Sequence, residues 1–224
     1  MNAPILFNLV VVGGTGLVGK DLLAMAHSDE RFMEILSIQR RTTASQRSDK
    51  TKTVICKNFR DLTDLTLPFE VERPLLAFCT LGSTIKKAGS KEAFREIDQH
   101  HVVRFAKLVL QNKAVHLGLV SATGADTGSL FFYNQVKGAM EKEVSELPLT
   151  SLAIYQPSLL AGPREEFRLG ESLAKPFMDL LPLSIRTVQS LDLAAVMLNE
   201  GMRMQKGKKV FSSKEIQIRA QAIN

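Results

Sequence analysis

Only two cysteines occur among the 224 residues, Cys56 and Cys79, and each lies in an apolar, strand-like run. Two buried-looking thiols exclude a disulfide framework and read as reduced core residues. The four histidines, His27, His100, His101 and His116, share no ligand spacing with the cysteines, so no metal site is expected. No apolar run reaches membrane-spanning length and no charged-then-apolar leader opens the chain, which points to a soluble, cytoplasmic protein. Internal repeats and low-complexity tracts are missing too. Basic residues outnumber acidic ones by 29 to 23, a net charge of +6 that suits an anionic partner, although most of the lysines read as solvated surface. The cluster Arg203, Lys206, Lys208 and Lys209 has no interleaved aromatics, so nucleic acid is not an expected partner.

What is present is an alternation of short apolar strands and amphipathic helices. Strands are expected at Leu9–Val12, Glu34–Ile38, Thr51–Cys56, Leu75–Cys79, Val115–Val120 and Thr150–Tyr155, with a last one near Val210-Phe211. Ser90 opens a long helix with Phe94, Ile97, Val102, Phe105, Leu108 and Val109 at helical spacing. Another helix runs from about Leu130 to Leu147 and stops at Pro148. A short helix with Leu180 and Leu181 and one at Leu191–Met204 complete the set. This pattern predicts an α/β fold, a doubly wound parallel sheet of about seven strands with helices on both faces. Residues 1–224 form one domain, with a small C-terminal substrate region mainly within 156–190.

The first strand breaks at Gly13-Gly14 and a helix follows, with glycines at 13, 16 and 19. Gly13 suits a sharp turn off the strand, Gly16 the close approach of a pyrophosphate, and Gly19 the packing of the new helix on the sheet. The backbone of Thr15, Leu17 and Val18 belongs to the same expected cradle, where first-turn N–H groups and the helix dipole hold phosphates. The second strand ends in Gln39-Arg40-Arg41 with no acid between positions 35 and 48. An acid at that place would suit a ribose 2′-hydroxyl, whereas Arg40 and Arg41 suit a 2′-phosphate, so NADP(H) is favoured over NAD(H). After the third strand, Asp61-Leu62 either meets an adenine edge or belongs to helix-start chemistry, with Asp61 as a cap. The small-residue loop containing Leu81, Gly82 and Ser83 follows the fourth strand, where strand ends meet a cofactor.

Tyr133 and Lys137 lie four residues apart and stack one turn above the other on one helix face. A tyrosine in water titrates near ~10, and a nearby ammonium favours its phenolate. Ser121 or Thr123, at the end of the fifth strand, supplies a hydroxyl to hold a carbonyl oxygen near that phenol.

These features together resemble the short-chain dehydrogenase/reductase superfamily: the turn Gly13–Gly19, Ser121, and Tyr133-Asn134-Gln135-Val136-Lys137-Gly138. Nearly the whole chain is similar to its atypical, Tat-interacting-protein-like branch. The matching stretches are Cys79-Thr80-Leu81-Gly82-Ser83-Thr84, Val120-Ser121 with Gly124-Ala125-Asp126, Gln135-Val136-Lys137-Gly138, and Gly162-Pro163-Arg164-Glu165-Glu166-Phe167-Arg168. The resemblance implies a Rossmann domain binding NADP(H), with Tyr133 as acid/base, Lys137 as ribose ligand and tyrosine activator, Ser121 as substrate-orienting hydroxyl, and Pro157 at the cofactor. Two departures fall on the substrate side. The chain reads Gln156-Pro157-Ser158 where the branch often has Arg-Pro-Gly, and Ala122 stands where many relatives carry a second serine.

The leading expectation is therefore an NADP(H)-dependent oxidoreductase exchanging hydride with a small carbonyl or alcohol, its partner a small-molecule substrate. The alternatives are a nucleotide-sugar epimerase or dehydratase, and a non-catalytic NADP(H)-binding redox sensor that engages a protein. Only about 65 residues follow Pro157, little for a nucleotide-sugar domain. A homo-oligomer is compatible with the sequence, which does not specify one.

Overall fold

The computed structural model describes residues 4–41, 50–161 and 187–223. The apolar stretch Phe7–Val12 forms strand β1, buried along its whole length. It pairs in parallel with β2 (Phe32–Gln39) on one side and β4 (Leu75–Cys79) on the other. With β3 (Thr51–Ile55), β5 (His116–Val120), β6 (Ser151–Gln156) and β9 (Gly207–Ser212), the sheet order is β3-β2-β1-β4-β5-β6-β9, parallel throughout. Strand order reverses between β1 and β4. That is where a doubly wound sheet leaves a crevice at its carboxyl ends.

Alternation along β1 supplies both cores. Val10 and Val12 face a cluster with Val102, Phe105 and Leu108 of helix α4 (His101–Gln111) and Met140 and Val144 of α5 (Phe132–Ser145). Leu9 and Val11 face Leu22 and Leu23 of α1 (Leu17–Ser28), Leu193 and Met197 of α6 (Ser190–Met202), and Ile216 and Ala220 of α7 (Ser213–Ile223). Helices cover both faces, as the sequence predicts.

Some elements escape the sequence reading. Two short helices, α2 (Ile85–Ala88) and α3 (Lys91–Arg95), precede α4, and a π-helical turn, Glu96–His100, joins α3 to α4. A π turn adds a residue and rotates the phase of the residues after it. Ile97, expected in the core stripe, is only half-buried, and Asp98 and Gln99 turn inward in its place. A 3₁₀ turn covers Phe59–Asp64, and β7 (Leu160–Ala161) pairs with β8 (Val188–Gln189) in a separate two-stranded sheet. The C-terminal helix α7 had a readable signal. The Glu215 carboxylate accepts the Ser212 N–H at 2.9 Å and the Ser212 hydroxyl accepts the Glu215 N–H at 3.3 Å, a capping box. The expected helix at Leu180-Leu181 and the stretch Gly162–Arg168 lie outside the described residues.

Candidate active site

The glycine turn sits at the crevice and is built by close backbone contact. Gly13 has φ +85°, and a Cβ there would lie 2.6 Å from the Thr80 carbonyl carbon. Thr80 itself is tied to the end of β1, its N–H donating to the Val12 carbonyl at 2.9 Å. Gly14, not singled out in the sequence, is equally constrained, since a Cβ would meet Leu23 at 2.5 Å and the Ser37 hydroxyl at 2.8 Å. Gly19 does its packing against the turn rather than the sheet, because its Cβ would fall 2.3 Å from the Gly13 carbonyl oxygen. Gly16 differs: it is exposed, and its nearest Cβ contact is 3.3 Å away. Gly16 caps α1 with no side chain to satisfy the first-turn N–H groups, and no acid stands in that turn. Thr15 is exposed beside it, Leu17 half-buried, and Val18 packed in the core.

Around this turn the other expected cofactor residues divide. Arg40 and Arg41 are exposed just beyond β2. Asn58, not Asp61, caps the 3₁₀ turn, its side chain accepting the Arg60 N–H at 3.1 Å. Asp61 instead accepts a hydrogen bond from the Asn58 amide at 3.2 Å. Leu62 is fully buried, its side chain packed in the core. Leu81 packs partly against the same core, while Gly82 and Ser83 run over the buried Asp98. The Ser83 N–H donates to Asp98 Oδ2 at 2.9 Å.

Asp98 is the residue the sequence reading missed. It is fully buried, and its Oδ1 lies 2.8 Å from Nζ of Lys137, itself 2% exposed. Burial disfavours the Lys137 ammonium, but the Asp98 carboxylate, with Tyr133 adding to it, holds its pKa above the ordinary lysine range. Lys137 is thus not a side chain reaching for solvent. The clue in the sequence is an acid four residues after Phe94, on the core-facing register of an apolar helix.

Tyr133 is 36% exposed at the start of α5, its ring 5.4 Å from buried Phe94. Leu130 and Phe131 beside it are 96% and 71% exposed. The other tyrosine, Tyr155, is fully buried and stacked on Phe211 at 4.9 Å, so Tyr133 alone meets solvent. The two hydroxyls expected near it are differently placed. Ser121 is buried and donates to Glu141 of α5, a carboxylate that also accepts the Gln156 amide at 2.9 and 3.0 Å. Thr123 is exposed and donates to the Gln156 carbonyl at 3.0 Å, and its N–H reaches the carbonyl of buried Pro157 at 3.0 Å. Both cysteines are free and buried, and burial pushes the Cys79 thiol up to about 12. Among the described residues, no group of three His, Cys, Asp or Glu side chains is arranged to hold a metal ion.

No family model matches the chain. Protein HTATIP2 of Rattus norvegicus is 32% identical over 176 residues, covering 78% of this chain and 72% of the relative. The chain belongs to that family, the Tat-interacting-protein-like branch of the atypical short-chain dehydrogenases/reductases. A mitochondrial relative, Protein FMP52 of Lodderomyces elongisporus, is 28% identical over 214 residues, 90% of this chain and 89% of its own. In fold, the chain is similar to dTDP-4-dehydrorhamnose reductase of Bacillus anthracis in complex with NADP, with TM-score 0.61, 16% identity, and coverage of 99% and 83%. It is also similar to MoeE5 in complex with UDP-glucose and NAD, with TM-score 0.66, 11% identity, and coverage of 97% and 82%. The Rossmann sheet is common to the chain and these two solved structures.

One expectation is overturned by the family. The cytoplasmic placement does not stand, since the FMP52 relatives are mitochondrial by name. Among the described residues no helix is long and apolar enough to cross a membrane, but that bears on spanning and not on compartment. Addresses are read by receptors from short segments rather than from the packed fold.

Proposed function

We propose that the protein is an oxidoreductase that uses NADP(H) in preference to NAD(H) on small carbonyl or alcohol substrates. The observation that carries this reading is Tyr133, the one solvent-reaching tyrosine, one helical turn from a buried, protonated Lys137 at the crevice that holds the glycine turn. The turn fits a dinucleotide. Gly13 and Gly19 are closed by backbone contact, while exposed Gly16 and uncapped first-turn N–H groups leave an anion site. Thr15, Gly16, Leu17 and Val18 would hold the pyrophosphate, and Arg40 with Arg41 the 2′-phosphate.

A nicotinamide held there would supply or accept the hydride. Tyr133 gives its phenolic proton to the carbonyl oxygen in reduction and takes it back in oxidation. The Lys137 ammonium supports the phenolate that remains. Thr123 is the better candidate to orient the substrate oxygen, because it is exposed at the strand end whereas Ser121 is buried against Glu141. By likeness to the FMP52 relatives, the mitochondrion is the compartment in which to look for the substrate.

The test is an NADPH-oxidation screen against aldehydes, ketones and quinones, repeated with Tyr133→Phe. Turnover that falls roughly a hundredfold or more in the variant supports the assignment. Undiminished turnover rejects Tyr133, and tight NADPH binding with no turnover turns the reading to a nucleotide-binding sensor.

A further inference from the structure

We propose that the strand-end hydroxyls of this site accept hydrogen bonds from a substrate and do not give them. The substrate then brings a proton of its own: a hydroxyl on the carbon beside the reacting one, as in an α-hydroxy carbonyl or a vicinal diol. The proposal rests on the role given above to Tyr133.

A serine or threonine hydroxyl has one proton to give and two lone pairs. At the end of β5 both protons are committed inside the protein. Ser121 donates to the Glu141 carboxylate, which also accepts the Gln156 amide on its two oxygens, at 2.9 and 3.0 Å. An ionised carboxylate only accepts, so the proton of that pair comes from Ser121. Thr123 Oγ1 lies 3.0 Å from the Gln156 carbonyl oxygen. A carbonyl has no proton, and two oxygens that close are held only with the threonine's between them. The backbone does the same. The Ser121 N–H donates to the Tyr155 carbonyl at 2.7 Å and the Thr123 N–H to the Pro157 carbonyl at 3.0 Å.

What is left for a ligand is exposed Thr123 with its lone pairs outward. The loop after it is fixed beside Tyr133. A Cβ at Gly124 would lie 2.9 Å from the Asn134 amide nitrogen, and the Asp126 N–H donates to the Asn134 carbonyl at 3.1 Å. Glu141, the partner of Ser121, follows Tyr133 and Lys137 at successive turns of the same α5 face. A bare carbonyl oxygen brought to Thr123 meets lone pairs. Turning the threonine proton toward it leaves the Gln156 carbonyl without that bond, a penalty of the kind by which polar sites reject the wrong ligand. A hydroxyl on the neighbouring carbon donates to Thr123 while Tyr133 serves the carbonyl oxygen. The reaction is the one proposed above: hydride to the carbonyl carbon, the Tyr133 proton to its oxygen, and the second hydroxyl untouched.

The experiment compares NADPH-dependent reduction of three ketones: hydroxyacetone, methoxyacetone and butanone. Methoxyacetone keeps the electron-withdrawing oxygen but loses the proton, and butanone replaces the hydroxyl with a methyl group of similar size. For hydroxyacetone kcat/KM should be about tenfold or more above either of the others. Thr123→Val keeps the shape and removes the acceptor, and should bring the three within about threefold of one another. Equal use of hydroxyacetone and methoxyacetone by the wild type overturns the proposal, as does a Thr123→Val protein that keeps the preference. Circular dichroism checks folding, and if the variant does not fold, the wild-type ratio decides alone.

If the wild type reduces none of the three, binding judges instead. Saturation-transfer NMR of the protein mixed with NADPH should then show hydroxyacetone in contact, and methoxyacetone and butanone not. Equal signals, or none, overturn the proposal. The proposed function fails separately, when the wider screen of aldehydes, ketones and quinones is silent as well.

Discussion

The turn between β1 and α1 is held by shape, backbone against backbone, whereas the start of α5 is held by buried charge. At the turn, Gly13, Gly14 and Gly19 leave no room for a side chain. Across the crevice, Asp98–Lys137 and the Ser121–Glu141–Gln156 cluster do the corresponding work. The two constructions suit their tasks. A phosphate site needs exposed N–H groups at a fixed distance, which sterics can set. A proton-transfer site needs a charged group held dry and in register, which takes a counter-charge.

Cutting the buried pair should show the largest effect. Lys137→Ala strips Asp98 of its partner inside the core, and an orphaned buried charge typically costs ~3–5 kcal/mol. Urea unfolding at neutral pH measures it. A loss below ~1 kcal/mol would mean that charge is not what holds α5.

The shape account makes its own demand at the turn. Gly13→Ala meets both a left-handed φ and the Thr80 carbonyl at 2.6 Å, and should cost about 3 kcal/mol. Gly16→Ala, with its nearest contact at 3.3 Å, should cost under ~1 kcal/mol. Gly16→Val should leave the fold largely intact and abolish nucleotide binding. Equal losses for Gly13→Ala and Gly16→Ala would remove the distinction between a structural and a ligand-facing glycine.

This difference also explains what could be read in advance. The turn is local: strand, glycines and helix lie within the first 28 residues, so its sterics are written in one stretch. The inner strands follow from apolar runs for the same reason, and the run Leu75–Cys79 coincides with β4 residue for residue. Asp98 shares the core-facing register of Phe94, but Lys137 lies 39 positions further on, and the two can be matched only in space. Ser121 looked like a substrate hydroxyl because Glu141, its acceptor 20 residues away, could be matched to it only in space.

Acid should separate buried charge from buried neutral groups. His116 at the start of β5 is buried, with Nδ1 2.8 Å from the Ser151 hydroxyl, and burial lowers its pKa to about 4. Burial likewise takes His101 to about 4, despite the opposing pull of Glu96. In the unfolded chain histidine titrates near ~6.5. Between that value and about 4 the unfolded state binds the extra proton, so stability is complete above the window and falls as pH drops through it. At ~1.4 kcal/mol per pH unit, His116 alone should cost ~2–3 kcal/mol by the bottom of the window. Thermal unfolding across pH 7 to 4 follows this, and His116→Asn should flatten the acid limb. An unchanged limb would assign the acid sensitivity to the carboxylates instead.

The smallest effect tests the far end of the shape-built region, where exposed charge takes over. Arg40 and Arg41 lie beyond β2 in solvent, so any pair they form with a 2′-phosphate is screened. Replacing both with glutamine should weaken NADPH about tenfold, or ~1.4 kcal/mol, the low end for charge-assisted contacts. NADH lacks the 2′-phosphate, and its affinity should change less than twofold. The loss should also shrink as salt rises, because exposed charges act only within roughly a Debye length of ~8–10 Å. Calorimetry with both nucleotides at two salt concentrations gives the answer. Equal losses for NADPH and NADH would make the arginines general attractors of anions, and the choice between cofactors would then have to be made elsewhere in the crevice.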